Sequence, residues 1–230
     1  MHVLFRTLGQ QQGLQLVRGI LAESIDEFLY EAIMQLVRVA VLGNAQGSKD
    51  IITPQYTKVS ELNAIHTLYC SETKTVSLTA DGEVITFETT NVPFCLTNFV
   101  IGTKDNKKYD CRIIESERLY QTLNDYLNRA SLEYPIISLA NGNSDKEFDI
   151  HLFTGDRYED VTTLVASYIK MPNKVHLDED LYGQEGDTSV SCNLPVHLHN
   201  TVVETAVELW LQTLGLTSKQ PQEQQSNKNN

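Results

Sequence analysis

No stretch of this chain approaches the ~20 consecutive apolar residues that a membrane-spanning helix requires, so no helical passage through a bilayer is expected. Neither G-x-G-x-x-G nor G-x-x-x-x-G-K-[ST] occurs, and without them the backbone cradles that hold nucleotide phosphates are missing. There is no G-x-S-x-G elbow to activate a serine. The acidic run Asp178-Glu179-Asp180 lacks the alternating oxygen ligands of an EF-hand and reads as a solvated loop. Four cysteines, Cys70, Cys95, Cys111 and Cys192, include no C-x-x-C pair and no compact framework. Reduced, structural thiols in a cytosolic setting are therefore expected. The opening Met1-His2-Val3-Leu4-Phe5-Arg6 lacks the cationic start, long apolar run and small-residue cleavage site of a secretory signal. Basic residues are also scarce: 18 Lys and Arg stand against 30 Asp and Glu, a net charge of −12. That balance opposes a protein whose main task is to grip nucleic-acid phosphates, although DNA that must slide past an acidic wall is compatible with it.

What is present is a globular composition, with 41% hydrophobic and 21% charged residues in 230. A chain of that length can bury roughly 70% of its unfolded surface. The single Trp, Trp210, stands in the most strongly patterned stretch, Leu194 to Leu214. There Leu198, Val202, Ala206 and Leu209, flanked by Val203 and Trp210, form the apolar stripe of an amphipathic helix. Pro195 suits its first turn, and Gly215 stands where a left-handed C-cap is commonest.

A second helix is predicted at the other end of the chain. Ser24-Ile25-Asp26-Glu27 matches a capping box, and Phe28, Leu29, Ala32, Ile33, Leu36, Val37 and Ala40 follow at helical spacing up to Gly43-Asn44. Residues 43–56 read as a loop and Ser60 to Leu68 as a short helix. A central helix spans Glu115 to Ala130, with Leu119, Leu123, Tyr126 and Leu127 on one face, ended by Tyr134-Pro135. Between and after these the period changes to two. Thr75 to Thr79 and Val84 to Thr89 flank Asp81-Gly82 as a β-hairpin. Pro93 to Leu96, Phe99 to Ile101 and Cys111 to Ile114 are further strands, and Ile136 to Leu139 pairs with Glu147 to Phe153 across Asn141-Gly142-Asn143-Ser144. Val161 to Lys170 is another. The fold class is therefore α+β: N-terminal and C-terminal amphipathic helices packed with a central helix, plus antiparallel hairpins forming a small sheet or barrel. Residues 1–20 read as an irregular arm, 21–216 as a single domain, and 217–230 as a polar Gln/Asn-rich tail.

Three groups of side chains have the composition of a site. Cys192, His197 and His199 combine sulfur and imidazole, the donors zinc favours. On one helix, however, positions 197 and 199 lie about 200° apart, and no fourth ligand is near, so helix-start histidines with local partners are expected instead. Asp149 and His151 share a strand face, with Asp156, Glu159 and Asp160 close in sequence, which makes an acid–base pair conceivable. The aspartates flank Gly155 in a turn, where solvated carboxylates are the ordinary outcome. Lys104, Lys107 and Lys108 form the main basic cluster and, with Asp105 among them, read as a solvent turn. No catalytic, cofactor-binding or metal residue is assigned.

Several stretches together resemble one family. Gly19-Ile20-Leu21-Ala22-Glu23-Ser24-Ile25-Asp26, with Glu31-Ala32-Ile33 and Val37-Arg38, resembles the opening helix of a structural protein of crAss-like tailed bacteriophages. Val59-Ser60-Glu61-Leu62-Asn63-Ala64-Ile65-His66-Thr67-Leu68 is similar to the segment that follows in that family. Tyr168 to Val175, a strand broken by Pro172, then an acidic loop and Leu194-Pro195-Val196-His197-Leu198-His199 before an apolar helix, is a pattern shared by many phage connector proteins. The likeness spans roughly residues 19–214 and rests on pattern and order. It implies a ring or adaptor protein of the head-to-tail connector, about twelve copies to match a twelve-fold portal. The implied partners are further copies, the portal protein, other connector or tail proteins, and genomic DNA passing through the channel without sequence-specific binding. No membrane, cofactor or chemistry is implied. The implied location is the portal and tail vertex of the virion, after synthesis in the host bacterial cytoplasm. The alternatives are another virion ring, for head completion or the tail, and a small acidic hydrolase using His151.

Overall fold

The computed structural model describes residues 1–11, 20–42, 65–80, 82–142, 144–178 and 188–215. Its helices are α1 (His2–Gln11), α2 (Ala22–Leu42), α3 (Ser116–Asn124) and α4 (His199–Thr213). Its strands are β1 (Tyr69–Thr75), β2 (Glu83–Glu88), β3 (Pro93–Thr103), β4 (Lys108–Asp110), β5 (Arg112–Ile113), β6 (Ile136–Asn141), β7 (Glu147–Phe153) and β8 (Val161–Lys170). The α+β class is as the sequence indicates. No shift in composition marks a boundary, yet the chain divides into two compact units: residues 1–67 with 172–230, and residues 68–171.

The first unit is helical. On α2, Ile25, Leu29, Ala32, Ile33 and Val37 are buried at the spacing read from the sequence. They pack on α4, whose buried face is Val202, Val203, Ala206, Val207, Trp210 and Leu211. Leu198 and Leu209, expected at the centre of that stripe, lie at its half-buried margin. The helix itself begins at His199, after a 3-10 turn over Val196–Leu198. Gly215 takes the left-handed conformation expected of a C-cap, φ 71°, with its amide on the Gln212 carbonyl.

Residues 2–11, read from sequence as part of an irregular arm, are instead the helix α1. Its buried side is Phe5 with His2 and Gly9, and Phe5 meets Trp210 at a centroid distance of 5.9 Å. Weak periodicity concealed it because glycine and glutamine dilute the apolar face, and tertiary packing supplies what local propensity lacks. The capping box also fails. α2 starts two residues before Ser24, the Ser24 and Ile25 amides bond to the Leu21 carbonyl, and the Glu27 carboxylate pairs with Lys174 instead of reaching back. The loop over 43–56, the short helix before residue 65, the acidic loop beyond Asp178 and the tail 217–230 lie outside the described residues.

The second unit is a β-sandwich. One sheet has the order β1-β8-β3-β4 and the other β2-β7-β6-β5. Phe87 and Phe148 stack at 5.4 Å within one sheet, and Phe99 of the other meets Phe148 edge-on at 6.1 Å, so aromatic contacts join the layers. Cys111 alone separates β4 from β5, so one run of chain crosses from sheet to sheet and makes a barrel-like corner. Opposite that corner β1 and β2 do not pair. Side chains bridge them: Lys74 donates to the Thr86 carbonyl, and Glu72 accepts from the Thr90 amide at 3.1 Å.

The expected hairpin across Asp81-Gly82 is therefore not formed. β1 lies earlier than Thr75 to Thr79 and pairs along its whole length with β8, from Tyr69↔Ile169 to Thr75↔Thr163. Residues 76–80 are loop, and Leu78 plugs the core from there. The strand went to the pairing that gives β8 a partner along both edges rather than to the local turn signal. The β6–β7 hairpin forms as expected, with pairs from Ile136↔Phe153 to Asn141↔Phe148. Gly142 is required there, since a Cβ would stand 2.3 Å from the Glu147 carbonyl oxygen. The central helix is only nine residues long and lies against β6.

Candidate functional site

The second unit carries a group of exposed apolar side chains at and just after α3. Tyr120, Tyr126, Leu127 and Tyr134 are 74, 80, 86 and 65% exposed. Sequence periodicity placed Tyr126 and Leu127 on the buried face of a helix running to Ala130. The helix stops instead at Asn124, because Asp125 adopts ψ 118° and its carboxylate competes for local donors. Asp125 Oδ1 accepts from the Leu127 amide at 3.0 Å and Oδ2 from Asn128 Nδ2 at 2.6 Å. Those bonds, the Asn128 one foremost, hold the Asp125 carboxyl below its ordinary range and fix the turn with two apolar side chains outward. The Arg129 guanidinium stands 5.4 Å from the Tyr126 ring centroid, a cation–π contact that steadies the phenol. Tyr and Arg on a rigid support are the composition of interface anchors.

The first unit contains a buried polar cluster that sequence reasoning missed. Asp26, 3% exposed, is gripped from two sides: Oδ1 accepts from His2 Nε2 at 2.6 Å and Oδ2 from His176 Nδ1 at 3.0 Å. The Leu177 amide adds a long contact of 3.4 Å to Oδ2. One carboxylate thus ties α1, α2 and the segment around His176 together, satisfying the charge that burial would otherwise penalise. A signal existed, because Asp26 sits on the apolar stripe of α2 at three, seven and eleven residues from Leu29, Ile33 and Val37. Among the described residues the buried His2 Nδ1 finds no hydrogen-bond partner. His2 and His176 also line a cleft of about 310 Å3 with Cys192 and His199.

Of the proposed zinc constellation, the cleft holds Cys192 and His199, while His197 is exposed. His199 is occupied locally, its Nε2 donating to the Leu194 carbonyl at 3.1 Å. Burial raises the Cys192 thiol above its ordinary value, away from the thiolate a metal needs. No group of three or more potential ligands converges on a metal position among the described residues.

Asp149 and His151 do share a face of β7, opposite Thr86 and Val84 of β2. Asp149 is engaged by the Thr86 hydroxyl at 2.8 Å rather than by His151. Asp156 lies elsewhere, in a cleft of about 490 Å3 with Arg129, Ser131, Phe153 and Arg157 that neither His151 nor Asp149 lines. Asp160 is paired with Arg157 at 2.8 Å, and Glu159 is exposed. The residues of the imagined acid–base site are thus not brought together.

Lys104, Lys107 and Lys108 are exposed around the β3–β4 turn, where Asn106 takes φ 59°. All four cysteines are free. Burial pushes the Cys111 thiol up to about 12. Tyr168 is also raised to about 12, by burial first and by donating its hydroxyl to Glu72. No helix of the described residues is long and apolar enough to cross a membrane. No protein-family model matches the chain, and no curated protein is recognisably similar to it.

Proposed function

We propose that this protein is a structural subunit of a virion, assembling with further copies of itself into a ring of the phage head-to-tail connector beneath the portal. The single observation that carries an assembly role is the exposure of Tyr126 and Leu127 on the turn stiffened by Asp125, with Tyr120 on α3 and Tyr134 also exposed. Large apolar side chains left in solvent on a stiffened turn are the material of association surfaces. The phage setting comes from the resemblance of residues 19–38, 59–68, 168–175 and 194–199 to connector proteins. The net charge of −12 supports a channel along which phosphates slide. In this role the ring extends the portal channel and docks the tail, and it performs no chemistry.

Quantitative mass spectrometry of purified virions tests this reading. One copy of this chain per copy of portal protein is expected. A stoichiometry clearly different from the portal's points to a head-completion or tail ring, and absence from the particle ends the reading.

A further inference from the structure

Among the described residues, β1 is the longest strand edge that the second unit leaves open. It ends one sheet with seven residues, whereas β4 and β5, which end the two sheets at the corner, have three and two. The Val76 amide bonds to the Thr162 carbonyl at 2.9 Å and continues the register of β1 on β8. Bonded and non-bonded positions alternate along an antiparallel pair. Cys70, Glu72 and Lys74 therefore turn their backbone groups to β8, while Ser71, Thr73 and Thr75 turn theirs to the open edge. Such a row of backbone donors and acceptors is a template on which a strand of another chain can add.

The side chains of β1 oppose that use. Cys70, Glu72 and Lys74 stand opposite Tyr168, Ala166 and Leu164, all fully buried, so these three positions share the core-facing side of the sheet. An inner face ordinarily carries apolar residues there, yet two of the three are charged. Both charges reach across the gap to the strand edge opposite. Lys74 donates to the Thr86 carbonyl of β2, and Glu72 accepts from the Thr90 amide at 3.1 and 3.2 Å and from the Tyr168 hydroxyl. A strand added to β1 would have to enclose these groups or part them from their partners, and an enclosed charge without its partner is costly.

We infer that Glu72 and Lys74 guard the β1 edge, keeping the β1 strand of a second copy from adding to it. Inward-pointing charge on an edge strand is a recognised physical block to pairing between chains. The guard matters most for a chain held close to many copies of itself, because it leaves other surfaces to make the contacts. The inference goes beyond the ring reading and concerns the surface that assembly leaves unused.

The full-length double variant Glu72→Val with Lys74→Val tests it, since one acid and one base are lost together and the net charge stays at −12. In sedimentation velocity the double variant associates at concentrations about ten-fold or more below those wild type requires. Hydrogen exchange of the associated form shows new protection at the Ser71, Thr73 and Thr75 amides. Adding Thr73→Pro removes an amide directed at the edge, spares the bonds to β8, and returns association to the wild-type level. Lys74→Val alone, at an exposed position that leaves both Glu72 partners in place, gives the same effect in weaker form and carries the test if the double variant unfolds. Variants that associate no more readily than wild type, association that leaves those three amides unprotected, or association that Thr73→Pro does not reverse overturns the guard. A wild-type assembly in which the same amides are protected overturns it as well.

Discussion

Replacing Trp210 with alanine removes the largest side chain of the helical unit from a site only 6% exposed. The indole packs against Phe5 at 5.9 Å, with a tilt of 51°, and so joins α4 to α1. Truncating a buried Trp costs about 3–5 kcal/mol in lost transfer energy and cavity. Within that figure the aromatic pair accounts for roughly 0.5–1.5 kcal/mol, which a double-mutant cycle with Phe5→Leu isolates. Far-UV circular dichroism in urea reads the loss, since the substitution removes the only tryptophan signal. With a slope near 2 kcal/mol/M, the unfolding midpoint falls by roughly 1.5–2.5 M. A shift smaller than about 0.5 M, with assembly abolished instead, refutes the placement of Trp210 in the core and makes it an interface residue.

Three further outcomes follow from the same structure. Asp26→Ala leaves His2 and His176 facing a hole where their shared acceptor stood and destabilises the helical unit by about 3–5 kcal/mol in chemical denaturation. Alkylation at pH 8 modifies Cys70 and Cys95 first and Cys192 more slowly, while Cys111, its thiol pushed up to about 12, reacts only on unfolding; early labelling of Cys111 contradicts its burial. The Asp125 carboxyl titrates below its ordinary value because its ionised form accepts from Asn128 and Leu127. The order it lends the turn is therefore complete above the usual carboxylate range of about 4 and lost as pH falls through the lowered folded value. The protection of the Leu127 amide against exchange, relative to an unstructured peptide at the same pH, should fall below that point and stay constant between pH 5 and 8.

The elements that were legible in the sequence are those whose apolar period agrees with their burial. The α2 stripe from Ile25 to Val37, the Gly215 cap and the β6–β7 hairpin are of this kind. Local signals misled where a distant partner, or a competing side chain next door, outbid them. Ser24 and Glu27 have the spacing of a capping box, but the helix starts earlier and Glu27 goes to Lys174. Thr75 to Thr79 alternates beside a turn, but β1 belongs to β8. Tyr126 and Leu127 continue a helical period that Asp125 interrupts. That last mismatch is informative, because side chains patterned for burial and left in solvent are what an association surface requires. The Asp26 cluster joins residues 24 and 150 positions apart, a distance across which no single-sequence pattern reaches, although a carboxylate on an apolar stripe was its visible mark.

The central claim, a ring subunit of the connector, is tested most directly by cryo-electron microscopy of the virion that carries this chain, reconstructed about the portal–tail axis. The account predicts a closed ring of about twelve copies directly beneath the portal, coaxial with the channel, with the Tyr126-Leu127 turn of each copy against its neighbour. Density for this chain that is absent from the axis, or present only as isolated copies, contradicts it.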